Sequence, residues 1–175
     1  MMSLKIASVL AVGAGLLFSS SSNAQTITGT VDATIVLTRA CQINGSTGTT
    51  NVAFGVLDFG THTTLFTDAS AQVQGNGGAI TIQCSPGAPA TLTFAAGLHD
   101  ATVAGSGRAM SNGTLMVPYD LYSNAALSTV MPVGATRTIT ADGSVQTVNV
   151  YGRALGAPGL TAATYTDTVA VTLAF

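Results

Sequence analysis

The feature that most limits this chain is a two-residue alternation, almost without fault, in TITGTVDATIVLT, Thr26 to Thr38. Ile27, Gly29, Val31, Ala33, Ile35 and Leu37 share one parity, with Thr28, Thr30, Asp32, Thr34 and Thr38 on the other. Side chains repeating every two residues belong to a strand buried on one face. At about 3.3 Å per residue the stretch spans roughly 43 Å, about twice an ordinary strand. One small domain can hardly bury all of it, so its first half calls for another sheet.

The other end of the chain shows the converse. In TYTDTVAVTLAF, Val169, Val171, Leu173 and Phe175 alternate to the final residue. A sandwich ending this way is expected to lack a closing strand, which leaves apolar core and unpaired backbone N–H and C=O groups open along an edge. The surplus at the start and the gap at the end are complementary.

Ahead of the alternating segment, Lys5 precedes the 13-residue apolar run IASVLAVGAGLLF and then SSSSNA. This order reads as a secretory signal peptide over residues 1–24, cleaved after Ala24, and its apolar core is too short to span a bilayer. The mature chain of 151 residues from Gln25 carries four Arg, seven Asp, no Lys and no Glu, a net charge near −3. Nothing basic is available to track a phosphate backbone, which argues against nucleic acid. Twenty-seven Thr with abundant Val and Gly favour strands over helices. So few charges suit packing against copies of the same chain.

Turn signals recur at Asn44-Gly45, Asn76-Gly77-Gly78, Ser85-Pro86-Gly87, Asn112-Gly113, Asp142-Gly143 and Ala157-Pro158-Gly159. Between them lie runs with strand character at 52–60, 79–84, 90–97, 114–123, 136–141, 144–153 and 164–175. Ile80, Ile82 and Cys84 share a face, as do Leu115, Val117, Tyr119 and Leu121. Seven or more short strands with loops between them predict an all-β sandwich of immunoglobulin-like architecture. Cys41 and Cys84 are the only cysteines, and in an exported chain they are expected to form a disulfide.

These features together resemble secreted proteins with the spore coat protein U domain, a group that includes the major subunits of archaic chaperone-usher pili. The resemblance runs over the whole chain. It rests on the signal peptide, TITGTVDATIVLTRACQI into Cys41, FGVLDFGT at 54–61, the strand ending in Cys84, YDLYS at 119–123, TVNVYGR at 147–153 and the closing TYTDTVAVTLAF. One departure is Val133-Gly134, where such proteins often carry Trp-Gly.

The resemblance implies an incomplete immunoglobulin-like sandwich lacking its last strand and completed by donor-strand complementation. A periplasmic chaperone would first lend a strand; at the outer-membrane usher, the N-terminal extension of the next subunit would replace it. Residues 25–35 would be the donor, with Ile27, Gly29, Val31, Ala33 and Ile35 facing the groove. Residues 36–175 would be the pilin domain, its own first strand running from about Val36 through Cys41. Val169, Val171, Leu173 and Phe175 would line the acceptor groove. The implied partners are further copies of the chain, the chaperone and the usher, with a tip adhesin as a further candidate. Tip adhesins of such pili carry an additional N-terminal domain for which 151 residues leave no room, so the expected place is the rod of a surface fibre for attachment and biofilm formation.

Catalytic, metal and cofactor motifs are weak. Gly105-Ser106-Gly107-Arg108-Ala109-Met110 fails a dinucleotide loop at Met110 and reads as a hairpin loop. Asp58 and His62 are four apart but not on a helix, and His99-Asp100 are neighbours whose side chains would diverge on a strand. No enzyme and no cofactor is expected. Asp167 lies on the apolar parity of the last strand; a solvated rim is expected, with a paired structural carboxylate, the four arginines among its candidate partners, as the alternative. Arg39, also on the core parity of its strand, is an equal exception. The competing functional readings are a secreted ligand-binding sandwich and a spore or cell coat protein.

Overall fold

The computed structural model describes residues 25–87, 89–100 and 107–175. The signal peptide expected over residues 1–24 lies outside the described residues, as do Gly105 and Ser106. The chain divides into two units, Leu37–Phe175 and the residues up to Val36. In the latter, residues 25–36 contain no strand, and Ile27, Val31 and Ile35 are 97%, 96% and 80% exposed.

Leu37–Phe175 is all β, with eleven strands among the described residues: β1 (Cys41–Ile43), β2 (Asp68–Gln72), β3 (Ile80–Cys84), β4 (Ala90–Phe94), β5 (Arg108–Ser111), β6 (Met116–Tyr122), β7 (Val130–Met131), β8 (Ala135–Ile139), β9 (Val145–Val148), β10 (Tyr151–Leu155) and β11 (Val171–Ala174). They form three antiparallel sheets, β1-β3-β9, β2-β10-β6-β5 with β7 beside β6, and β11-β4-β8. Strict alternation builds the strands beneath the core. Ile80, Ile82 and Cys84 of β3, Ala90, Leu92 and Phe94 of β4, and Val117, Tyr119 and Leu121 of β6 all point inward and are buried. They join Ile43, Ile139, Val148 and Val150 in one apolar core.

Five sequence expectations are corrected. Residues 52–60 are not a strand, since their only ladder contact is an isolated bridge from Val56 to Gln74. The run 144–153 is two strands in different sheets, β9 on β3 and β10 on β2 and β6. It breaks at Asn149 and Val150, whose carbonyls accept hydrogen bonds from the Arg137 guanidinium and the Val73 N–H. The first strand begins at Cys41 rather than Val36. The chain comes alongside β3 only at Ala40, whose carbonyl accepts the Ser85 N–H at 2.9 Å. Arg39 therefore precedes the sheet and is exposed. Finally, Arg108 to Met110 belong to β5 rather than to a hairpin loop, and β2 lies in DASAQ, where no strand is expected.

Candidate functional site: a groove beside the last strand

β11 pairs with β4 along one edge: Val171 opposite Phe94 and Leu173 opposite Leu92. No strand among the described residues pairs its other edge. Upstream, residues 165–170 continue as an extended segment in which Tyr165, Asp167 and Val169 are half-buried while Thr166, Thr168 and Ala170 are exposed. Its backbone is held at two points, where Thr166 and Ser111 exchange N–H···O bonds and the Ala95 N–H donates to the Ala170 carbonyl.

Along this edge lies a groove of about 1010 Å³. Val169, Val171, Leu173 and Phe175 line one side. The opposite wall is the segment Val52, Phe54, Val56, Leu57 and Phe59, and the floor is core, including Ile80, Phe94, Leu121 and Val150. That second wall was not foreseen as part of the site, although its FGVLDFG pattern was the available signal. Leu57 and Phe59 are seated by Gly152 in β10. A Cβ there would lie 2.5 Å from Leu57 Cδ2 and 3.0 Å from Phe59 Cζ, so a side chain at this position would push both from their seats. Phe59 also meets Tyr119 edge-on, ring centroids 6.0 Å apart.

The chemistry of the groove is that of an open core: branched aliphatic and aromatic side chains beside an unpaired strand edge. Polar residues also line it, among them Asn51, Tyr119 and Thr168, and one of them is a carboxylate. The Asp167 carboxylate is not at a solvated rim, as expected, but 2% exposed. It accepts hydrogen bonds from the Leu98 N–H at 2.8 Å and from the Tyr119 hydroxyl at 2.7 Å, with His99 Nδ1 at 3.4 Å. The carboxylate is therefore a paired structural one, with the Leu98 N–H, the Tyr119 hydroxyl and His99 around it. Tyr119 is pushed well above its ordinary value of 10.0, first by burial, then by the hydrogen bond to Asp167 and that carboxylate's charge.

The other candidate polar residues occupy local turns. Asp58 accepts from the Gly60 N–H at 2.8 Å, while His62 Nε2 lies 2.7 Å from the Phe59 carbonyl and its ring lies against Phe66. These two do not form a joint site. Asp100 accepts from the Gly97 N–H at 2.7 and 2.8 Å. Cys41 and Cys84 face each other in the β1–β3 register and are joined as a disulfide.

The family model described as the Spore Coat Protein U domain matches residues 27–172. The chain belongs to this family. No curated protein matches it. Among solved structures it is similar to a chain of the CsuC–CsuE chaperone–tip adhesion subunit pre-assembly complex from archaic chaperone-usher Csu pili of Acinetobacter baumannii. That likeness has 20% identity and a TM-score of 0.46, and covers 79% of this chain and 40% of that one.

Proposed function

We propose that this Spore Coat Protein U domain chain is the structural subunit of an exported surface fibre that grows by strand donation. Residues 25–35 of one copy lie in the groove of the preceding copy, between the 52–59 wall and the free edge of β11. Ile27, Gly29, Val31, Ala33 and Ile35 face the floor. Backbone pairing to β11 supplies affinity and the apolar side chains supply register.

The observation that carries this reading is a pair of complementary deficits in one chain. An apolar groove runs beside an unpaired strand edge. A separate segment of strict alternation leaves its apolar residues exposed to solvent. An uncovered groove of this kind is an aggregation hazard, so a periplasmic chaperone occupies it before assembly at an outer-membrane usher. The finished fibre serves attachment and biofilm formation, with this subunit in the rod.

Electron microscopy of material sheared from producing cells tests this. Filaments whose mass spectra are dominated by residues 25–175 are expected. Recovery of the chain only as a soluble monomer, or as an unordered coat, overturns the reading.

A further inference from the structure

This inference rests on the strand-donation reading and concerns what holds the second wall of the groove in position. Residues 51–59 have little sheet support: Val56 and Gln74 exchange N–H···O bonds at 2.8 Å, and no other ladder contact is formed there. The upstream half of the wall is tied instead by one side chain. Asn44 Nδ2 donates to the carbonyls of Ala53 and Phe54, each at 3.0 Å. Its Oδ1 accepts the Thr81 N–H at 3.0 Å, and its own backbone N–H donates to the Thr81 carbonyl at 2.8 Å. One residue in the turn after β1 thus links the wall to β3.

Local geometry is built around that carboxamide. Asn44 has φ 51°, the left-handed region that Asn tolerates better than most residues. Gly75 lies against it, and a Cβ at that position would sit 2.6 Å from Asn44 Oδ1. A second cavity of about 460 Å³ adjoins the wall, lined by Asn44, Ser46, Asn51, Ala53, Gly55 and Gln74 among others. The wall therefore has open volume beside it as well as in the groove, with few bonds to fix its place between them.

The geometry points to Asn44 as the positioning residue of the acceptor groove: its carboxamide sets the wall at Ala53–Phe54 where an incoming strand of a second copy must fit. The task demands two donors for the wall and one acceptor for β3, at positive φ. Asn supplies all three; Asp supplies acceptors only, and Gly supplies none.

The test uses the full mature chain carrying Asn44→Asp or Asn44→Gly. Asp keeps the acceptor for Thr81 and loses both donors to the wall; Gly keeps the left-handed turn and removes the side chain, so it serves if the first variant does not fold. Hydrogen exchange should accelerate about tenfold or more at the Val56 and Gln74 amides, whose mutual bonds hold the wall, while β4 and β6 keep wild-type protection. Capture of a labelled peptide of residues 25–37 should slow by a similar factor. Unchanged wall exchange and capture overturn the assignment, and so does equal acceleration in β4 and β6, which marks a merely structural role. If the wild type captures no peptide, strand donation falls and Asn44 loses its proposed task, even where wall exchange responds. If the wild type captures it and both variants match, only the assignment to Asn44 falls.

Discussion

The Tyr119 hydroxyl donates to Asp167 Oδ2 at 2.7 Å, tying the middle of β6 to the segment that leads into β11. The other carboxylate oxygen takes the Leu98 N–H. One buried side chain therefore gathers β6, the loop after β4 and the groove's C-terminal side. Because β11 is only four residues long, its approach segment depends on this link as much as on ladder bonds.

Alkaline pH should loosen it. The Tyr119 pKa is raised in the folded chain above its ordinary 10.0, so the folded phenol stays protonated where the unfolded one ionises. Its contribution is then complete below about pH 10 and is lost as pH rises further. Urea titrations should show stability falling above that pH. Tyr119→Phe should remove this component while costing about 1–3 kcal/mol at neutral pH, because it leaves a buried carboxylate oxygen without its donor.

Arg108, opposite Tyr119 in the β5–β6 register, is 1% exposed. Its guanidinium donates to the Met131 and Ala95 carbonyls at 3.0 Å, joining β7 to the end of β4 across two sheets. Arg108→Leu should cost about 2 kcal/mol or more by stranding those carbonyls. Arg153 is the contrast: its 3.3 Å pair with Asp68 has both side chains over 40% exposed, and Arg153→Ala should stay within about 0.5 kcal/mol. Chemical denaturation of the two variants side by side would check the ranking.

The Cys41–Cys84 bond closes a loop of 43 residues and anchors β1, a strand of only three residues. Its loss should cost about 4 kcal/mol in the chain-entropy account, most visible as reduced yield of exported protein. Non-reducing peptide mapping should recover the linked pair, and two free thiols in periplasmic protein would contradict it.

Val171 lines the groove opposite Phe94 in the β11–β4 register. Val171→Asp puts an unpaired carboxylate into an apolar site, an expensive change, and should abolish strand capture and lower the soluble yield. Wild-type chaperone binding and fibre formation by this variant would place the acceptor elsewhere.

Where large apolar residues alternate against a fully paired strand, the sequence already displays the structure: Ile80-Ile82, Leu92-Phe94 and Val117-Tyr119-Leu121 are core. The parity of Val169, Val171, Leu173 and Phe175 likewise marked one side of the groove. The opposite wall was legible as extended chain but not as a wall, because VAFGVLDFG has strand-like side chains and no neighbouring strand to make a ladder. β5 was hidden because its inward position is Arg108, a charge whose carbonyl partners lie 13 to 23 residues away. Asp167 and Asn44 were opaque for the same reason. Period tells which way a side chain points, not what waits for it 48 or 37 residues along the chain.

The proposed strand donation gives the two ends of the chain different tasks, and that asymmetry can be tested directly. Deleting Gln25 to Ala33 removes the donor and leaves the groove, the disulfide and the core intact. This truncated subunit should be exported and bind its chaperone, yet no fibre should grow from it. Moving the same segment behind Phe175 on a short flexible linker should let it fold back into its own groove, since a tether acts at roughly millimolar effective concentration. Burial of Ile27, Val31 and Ile35 is worth roughly 1.5–3 kcal/mol each before ordering costs. With about 2–4 °C per kcal/mol for a domain of this size, a rise in Tm of about 10 °C over the truncated subunit is expected. Calorimetry and size-exclusion chromatography of the two variants decide it. A truncated chain that still polymerises, or a relocated segment that adds no stability, would strip residues 25–35 of the donor role and leave the groove without its occupant.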